Sequence, residues 1–174
     1  VRVLANHTRH NLFPAAPVRG SRTYPGVSGG IVAEQALGSS ATDTLSGIGP
    51  EPVKAGDILQ VGSTHRSGAD EEIPSLLPDG ELTLRVSKGP RDEWFSPKAL
   101  RKFLDATWIV GSAASRVGIR LGGPGIERLN DDVLPSDPCL RGSIQITAER
   151  RPSGFGPDPP VNGRYPVIAV SRDH

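Results

Sequence analysis

The sequence predicts a mainly β chain with one short helix and long loops, and three observations carry that reading. Glycine (21) and proline (17) together exceed a fifth of the 174 residues, which favours turns and short strands over long helices. Short β-branched runs, each bounded by Gly, Pro, Ser or Asp, recur at 107–110, 117–121, 143–147 and 165–170. Only the stretch after Ser96 carries a convincing helix signal. Many short strands with a single helix indicate a barrel or a sandwich.

Taken in order, residues 1–20 predict a short strand at most and then a loop. Residues 22–32 predict a strand interrupted at Pro25 and Gly26 by a bulge or an edge position. Val53 to Asp57 reads as a turn feeding a strand over Ile58 to Val61. Residues 62–80 are polar, acidic and proline-bearing, so a mobile loop or linker is expected there. The domain reading is therefore a strand-and-turn segment over 1–65, a loop or linker over 66–80, and a β domain over 81–174. Glu81 to Val86 alternates, with Leu82, Leu84 and Val86 on one face. Ser96 suits an N-cap and Pro97 the first helical position, followed by an apolar stripe of Leu100, Phe103 and Leu104.

Charge and cysteine content exclude several functions. With 20 basic and 19 acidic residues the net charge is +1, which provides no basic field for nucleic acid or an anionic membrane. No apolar run approaches the ~20 residues a membrane helix needs. The single cysteine, Cys139, excludes an internal disulfide framework and a multi-cysteine zinc site, and a reducing cytoplasm fits it. Cys139 has no evident His or Asn partner, so a nucleophile is not expected. His7 and His10 lie three apart with no helix and no third ligand nearby, so they read as a surface loop and no metal is expected. Asp131 and Asp132 are adjacent, share no face, and read as a solvated turn.

Three constellations remain. Gly26 to Gly30 forms either a tight corner or a cradle of backbone N–H groups for an anion; it is neither a P-loop nor a Rossmann fingerprint. On a strand, Arg116 and Arg120 would flank Gly118 on one face, leaving room for a carboxylate or phosphate, unless that face is simply solvated. Asp158 and Asn162 sit around an Asn-Gly turn ahead of a buried strand, where they would either orient a polar substrate or serve only the turn.

An ordered set of motifs carries a family resemblance from about residue 19 to 170. Its members are Arg22 to Ile31 (RTYPGVSGGI), Leu37 to Asp43 (LGSSATD), Gly89 to Phe95 (GPRDEWF) with the helix after it, and Ser115 to Leu121 (SRVGIRL). Leu134 to Ser136, Gly142 to Gln145, Asp158 and Gly163 to Pro166 complete it. The set resembles the allophanate hydrolase subunit 2 family, also called biotin-dependent carboxyltransferase-like. That family includes the C subunit of bacterial ATP-dependent 5-oxoprolinase and the carboxyltransferase region of urea amidolyases. The usual N-terminal half is absent, so the chain is expected to be the latter part of a member. Val117 stands where Met is usual, and Pro159, Asn162 and Arg164 also depart from the family pattern.

The resemblance implies a cyclophilin-like β-barrel and a partner, subunit 1 or B, with the active site built partly at their junction. It implies a hetero-oligomeric hydrolase of amide C–N bonds, of the 5-oxoprolinase or allophanate hydrolase type, with ATP consumed by the complex. Candidate catalytic residues are Asp158, Asn162 and Arg116; candidate substrate-binding residues are Arg120, Gly118, Gly29, Gly30, Gln145 and Tyr165. Two other functions fit the family: a non-catalytic module that regulates a kinase through its partner, and the carboxyltransferase part of a urea carboxylase. The last needs a biotin carrier elsewhere, because a chain without methionine has no Met-flanked lysine.

Overall fold

The computed structural model describes residues 11–13, 17, 20, 22–63 and 80–172, so His7, His10 and most of the expected linker lie outside the described residues. The chain is mainly β, with antiparallel sheets and one short α-helix, and divides into two compact units, Val1–Gly80 and Glu81–His174.

In the first unit, β1 (Ile31–Val32) pairs antiparallel with β2 (Gln60–Val61), placing Ile31 opposite Val61. The strands expected over 22–32 and 58–61 shrink to these two-residue pieces, the only parts that find a ladder partner among the described residues. The rest is turns. Asp43 holds one by accepting the Leu45 N–H at 2.9 Å and the Ser46 hydroxyl at 2.7 Å. Gly29 and Gly30 form another, with φ of +87° and +72°. A Cβ on Gly29 would collide with the Gly62 carbonyl, so this corner requires glycine twice over. No described residue of this unit is buried.

The second unit holds β3 (Val86–Lys88), a 3-10 turn (Asp92–Trp94), α1 (Pro97–Asp105), β4 (Ile109–Ala114), β5 (Gly118–Gly122), β6 (Asp137–Pro138), β7 (Ser143–Ile146), β8 (Pro152–Phe155), β9 (Asn162–Gly163) and β10 (Val167–Ser171). Six strands form one sheet in the order β3-β10-β7-β8-β5-β4, and β6 pairs with β9 as a separate ribbon. The expected closed cylinder is not formed by this ladder: β3 and β4 are its edges, and no register joins them among the described residues. Closure would require each edge to surrender its free backbone groups to the other.

Helix α1 forms for local reasons. Ser96 is extended and its hydroxyl accepts the Ala99 N–H at 3.1 Å, while Pro97 occupies the first turn. The helix buries Ala99 and Phe103; Leu104, expected in the apolar stripe, points to solvent instead. Phe103 packs against Trp108 with ring centroids 5.7 Å apart, and the Trp108 indole donates to the Phe103 carbonyl at 3.0 Å. Beneath them lie Phe95, Ile126, Ile144, Ile146, Ile168 and Ala169, which form the core. Each buried Ile or Phe side chain among them contributes roughly 1.5–3 kcal/mol of transfer free energy. The alternation of Glu81 to Val86 misleads: strand begins only at Val86, and Leu82 and Leu84 are exposed, with no strand paired to them among the described residues.

Candidate functional site

The site builds from strand register. Antiparallel pairing sets Arg120 of β5 opposite Ser153 of β8, and Ser153 opposite Gln145 of β7. Directly opposed residues share a face, so these three form one cross-strand row, with about 10 Å between its ends. Burial rises along the row. Arg120 is exposed, Ser153 is half-buried, and Gln145 is buried.

At the Arg120 end lies an open cavity of about 390 Å³ with a mostly apolar wall, lined by Gly111, Leu121, Gly122 and Pro152 and by residues Arg120, Thr147, Glu149 and Arg151. Thr147, Glu149 and Arg151 come from the hairpin tip between β7 and β8. That tip is closed by the Thr147 N–H on the Arg151 carbonyl (3.0 Å) and the Arg150 N–H on the Thr147 carbonyl (2.9 Å). The Arg151 guanidinium donates to the Gly123 carbonyl, and Arg150 pairs with Glu127. Glu149 is held below the usual carboxylate range, first by its own backbone N–H and then by the Thr147 hydroxyl, with a smaller effect from the Arg120 charge. Thr147, Glu149 and Arg151 were not foreseen from sequence. The one signal that could have found them is a polar cluster directly following a strand, at Thr147 to Arg151.

The other predicted residues divide. Arg116 and Asp158 come together: the guanidinium meets the carboxylate at 2.7 Å, and the Asp158 N–H donates to the Arg116 carbonyl at 3.2 Å. The expected anion slot between Arg116 and Arg120 does not form, because Arg116 precedes the first residue of β5 and its guanidinium is engaged by Asp158. Gly118 leaves no opening either, since a Cβ there would stand 2.6 Å from the Gly154 carbonyl oxygen of β8. Asn162 and Gly163 are not a turn but strand β9, opposite Pro138 and Asp137. Asn162 is exposed, and Tyr165 is exposed in the bend after it. Gln145 lies apart from the cavity: its amide donates to Cys139 Sγ at 3.3 Å, beneath Gly163. Gly29 and Gly30 belong to the first unit, and the Gly30 N–H is taken by the Val27 carbonyl at 2.9 Å.

A second polar cluster flanks β6. Arg91 grips Asp137 through two bonds, Nε at 2.6 Å and Nη2 at 3.0 Å, which lowers the Asp137 pKa and raises that of Arg91. Burial pushes the Cys139 thiol up, and Asp137 adds to this, so the thiol is a packing group rather than a thiolate.

Residues 6–173 match the carboxyltransferase domain, subdomains A and B. The chain belongs to that family. This carboxyltransferase-domain chain is 31% identical over 156 residues to the 5-oxoprolinase C subunit of Escherichia coli (strain K12), a match covering 88% of the chain and 50% of that relative. It is 31% identical over 119 residues to urea amidolyase of Saccharomyces cerevisiae, covering 60% of the chain and 6% of the relative. Among solved structures, the crystal structure of TTHA0988 superposes with a TM-score of 0.67 at 28% identity, covering 83% of the chain and 28% of that protein. The carboxyltransferase-domain chain thus spans about half the length of the 5-oxoprolinase subunits it matches. Among the described residues, no helix is long and apolar enough to cross a membrane.

Proposed function

We propose that this chain is a substrate-binding subunit of an ATP-dependent amide hydrolase of the 5-oxoprolinase type, acting in the cytoplasm with a subunit 1/B partner on a small amide that carries a carboxylate. The observation that carries this reading is Arg120 standing in the wall of a cavity of about 390 Å³ without an ion-pair partner among the described residues. A guanidinium at the mouth of such a cavity takes a carboxylate through two parallel hydrogen bonds. The match to the 5-oxoprolinase C subunit over 88% of the chain supports the substrate class.

Within this reading Arg120 anchors the substrate carboxylate and the apolar wall of Leu121 and Pro152 packs against the ring. Arg116 and Asp158 act as one unit, each fixing the other, and Asn162 and Tyr165 present polar groups from the β9 ribbon and the bend after it. ATP supplies the activation that an amide carbonyl lacks by itself. The Gly29–Gly30 turn is a poor phosphate cradle, because the Gly30 N–H is already engaged, so the nucleotide is assigned to the complex rather than to this corner.

The test is turnover of 5-oxoproline by the chain with its partner, following glutamate and ADP. Arg120→Ala is expected to raise KM about 10–100-fold, the equivalent of one charge-assisted bond pair. Absence of ATP-dependent turnover with the partner overturns the reading. The urea amidolyase likeness favours a second substrate class, allophanate or urea, which the same assay resolves by substitution of substrate.

A further inference from the structure

The cavity holds a carboxylate that the proposed anion anchor does not explain. Glu149 lines the same wall as Arg120 and is ionised well below neutral pH. Arg120 and Glu149 feel each other's charge, yet no hydrogen bond or ion pair joins them among the described residues. A purely anionic ligand on Arg120 offers the neighbouring Glu149 carboxylate no hydrogen-bond donor. A ligand that carries an N–H next to its carboxylate satisfies both groups at once.

The charged form of Glu149 is favoured by its own backbone N–H first and by the Thr147 hydroxyl second. Of the flanking arginines, Arg150 pairs with Glu127, while Arg151 donates to the Gly123 carbonyl and keeps its positive charge in the same wall. The remaining wall of Gly111, Leu121, Gly122 and Pro152 is apolar and suits the methylenes of a small ring.

Resting on the function proposed above, we propose that Glu149 is a specificity residue that accepts a hydrogen bond from the nitrogen neighbouring the carboxylate-bearing carbon. The cavity then selects lactam acids, and the amino acids they open to, over isosteric acids whose ring nitrogen is replaced by oxygen.

The experiment is calorimetric titration of the chain assembled with its subunit 1/B partner, without ATP, with L-5-oxoproline, with its lactone analogue 5-oxotetrahydrofuran-2-carboxylate, and with L-glutamate. The lactam acid is expected to bind about tenfold or more tighter than the lactone, the range of a hydrogen bond to a charged acceptor. Glu149→Ala should weaken the lactam acid and glutamate but not the lactone, bringing the lactam-to-lactone ratio close to one. Glu149→Gln keeps an acceptor oxygen, so it should retain part of the lactam preference while losing that for the ammonium of glutamate. Arg120→Ala should weaken lactam and lactone together and leave their ratio unchanged. Equal weakening of both ligands by Glu149→Ala, or an unchanged ratio, overturns the proposal while leaving the Arg120 anchor standing. No binding of any of the three acids, or binding indifferent to Arg120→Ala, overturns the anchor and this proposal with it.

Discussion

The two units solve the same problem, holding a glycine-rich chain in one shape, by opposite means. In Glu81–His174 the fold is held by contacts distant in sequence. Ile146, Ile168 and Ile126 come from three separate segments into one core, and Arg91 reaches across 46 residues to Asp137. In Val1–Gly80 the side-chain hydrogen bonds of the described residues are mostly local: Asp43 is satisfied two and three residues away, and Lys54 donates its N–H to Asp57 three residues on. Large apolar side chains such as Leu37, Val53 and Ile58 are exposed there. The difference teaches where cooperative stability resides, since buried apolar contacts rather than turn hydrogen bonds dominate the free energy of folding.

The sharpest way to test the contrast is to hollow the core. Ile146→Ala should lower unfolding free energy by about 2–5 kcal/mol in chemical denaturation, because Ile146 is fully buried and the cavity cannot collapse onto solvent. Next is acid. The Asp137 pKa is lowered in the fold by Arg91, so its contribution is complete above the ordinary aspartate pKa and is lost as pH falls through the lower folded value. Asp137→Asn should therefore flatten the acid limb of the stability curve. Asp43 is shifted the same way by Ser46 and Leu45, but Asp43→Asn should leave the global transition in place, since its turn carries no buried contact. The smallest effect is expected at Leu37, 98% exposed: Leu37→Ala should stay within about 0.5 kcal/mol. A loss there as large as the core substitution would break the comparison and mean that the first unit's apolar side chains are covered in the native assembly.

What was legible in the sequence follows the same division between local and distant causes. The helix start at Ser96 and Pro97 was legible because capping is decided within one turn of chain. Strands β5, β7 and β10 were legible as β-branched runs, since they lie within the sheet rather than at its edge. Strand β8 was not, because Pro152, Ser153 and Gly154 are poor strand formers and become strand only by pairing on both sides. Leu82 and Leu84 had the right alternation and no partner strand, which pattern alone cannot reveal. In the site, Arg120 was found, while its expected companion Arg116 lay one bend outside the strand and was already paired to Asp158. Glu149 was missed because a polar hairpin tip looks like any loop until the register brings it beside Arg120.

The hairpin tip at 147–151 has a consequence for how this scaffold diversifies. Arg120 is anchored in an inner strand of the sheet, beside a glycine whose contact with β8 forbids enlargement. Glu149 hangs from a self-closed loop joining two strands whose pairing does not depend on it. One half of ligand recognition is thus built into the frame and the other into an interchangeable lip. Grafting a different tip of the same length onto β7 and β8 should redirect which acids enter while the frame keeps its grip on their negative end.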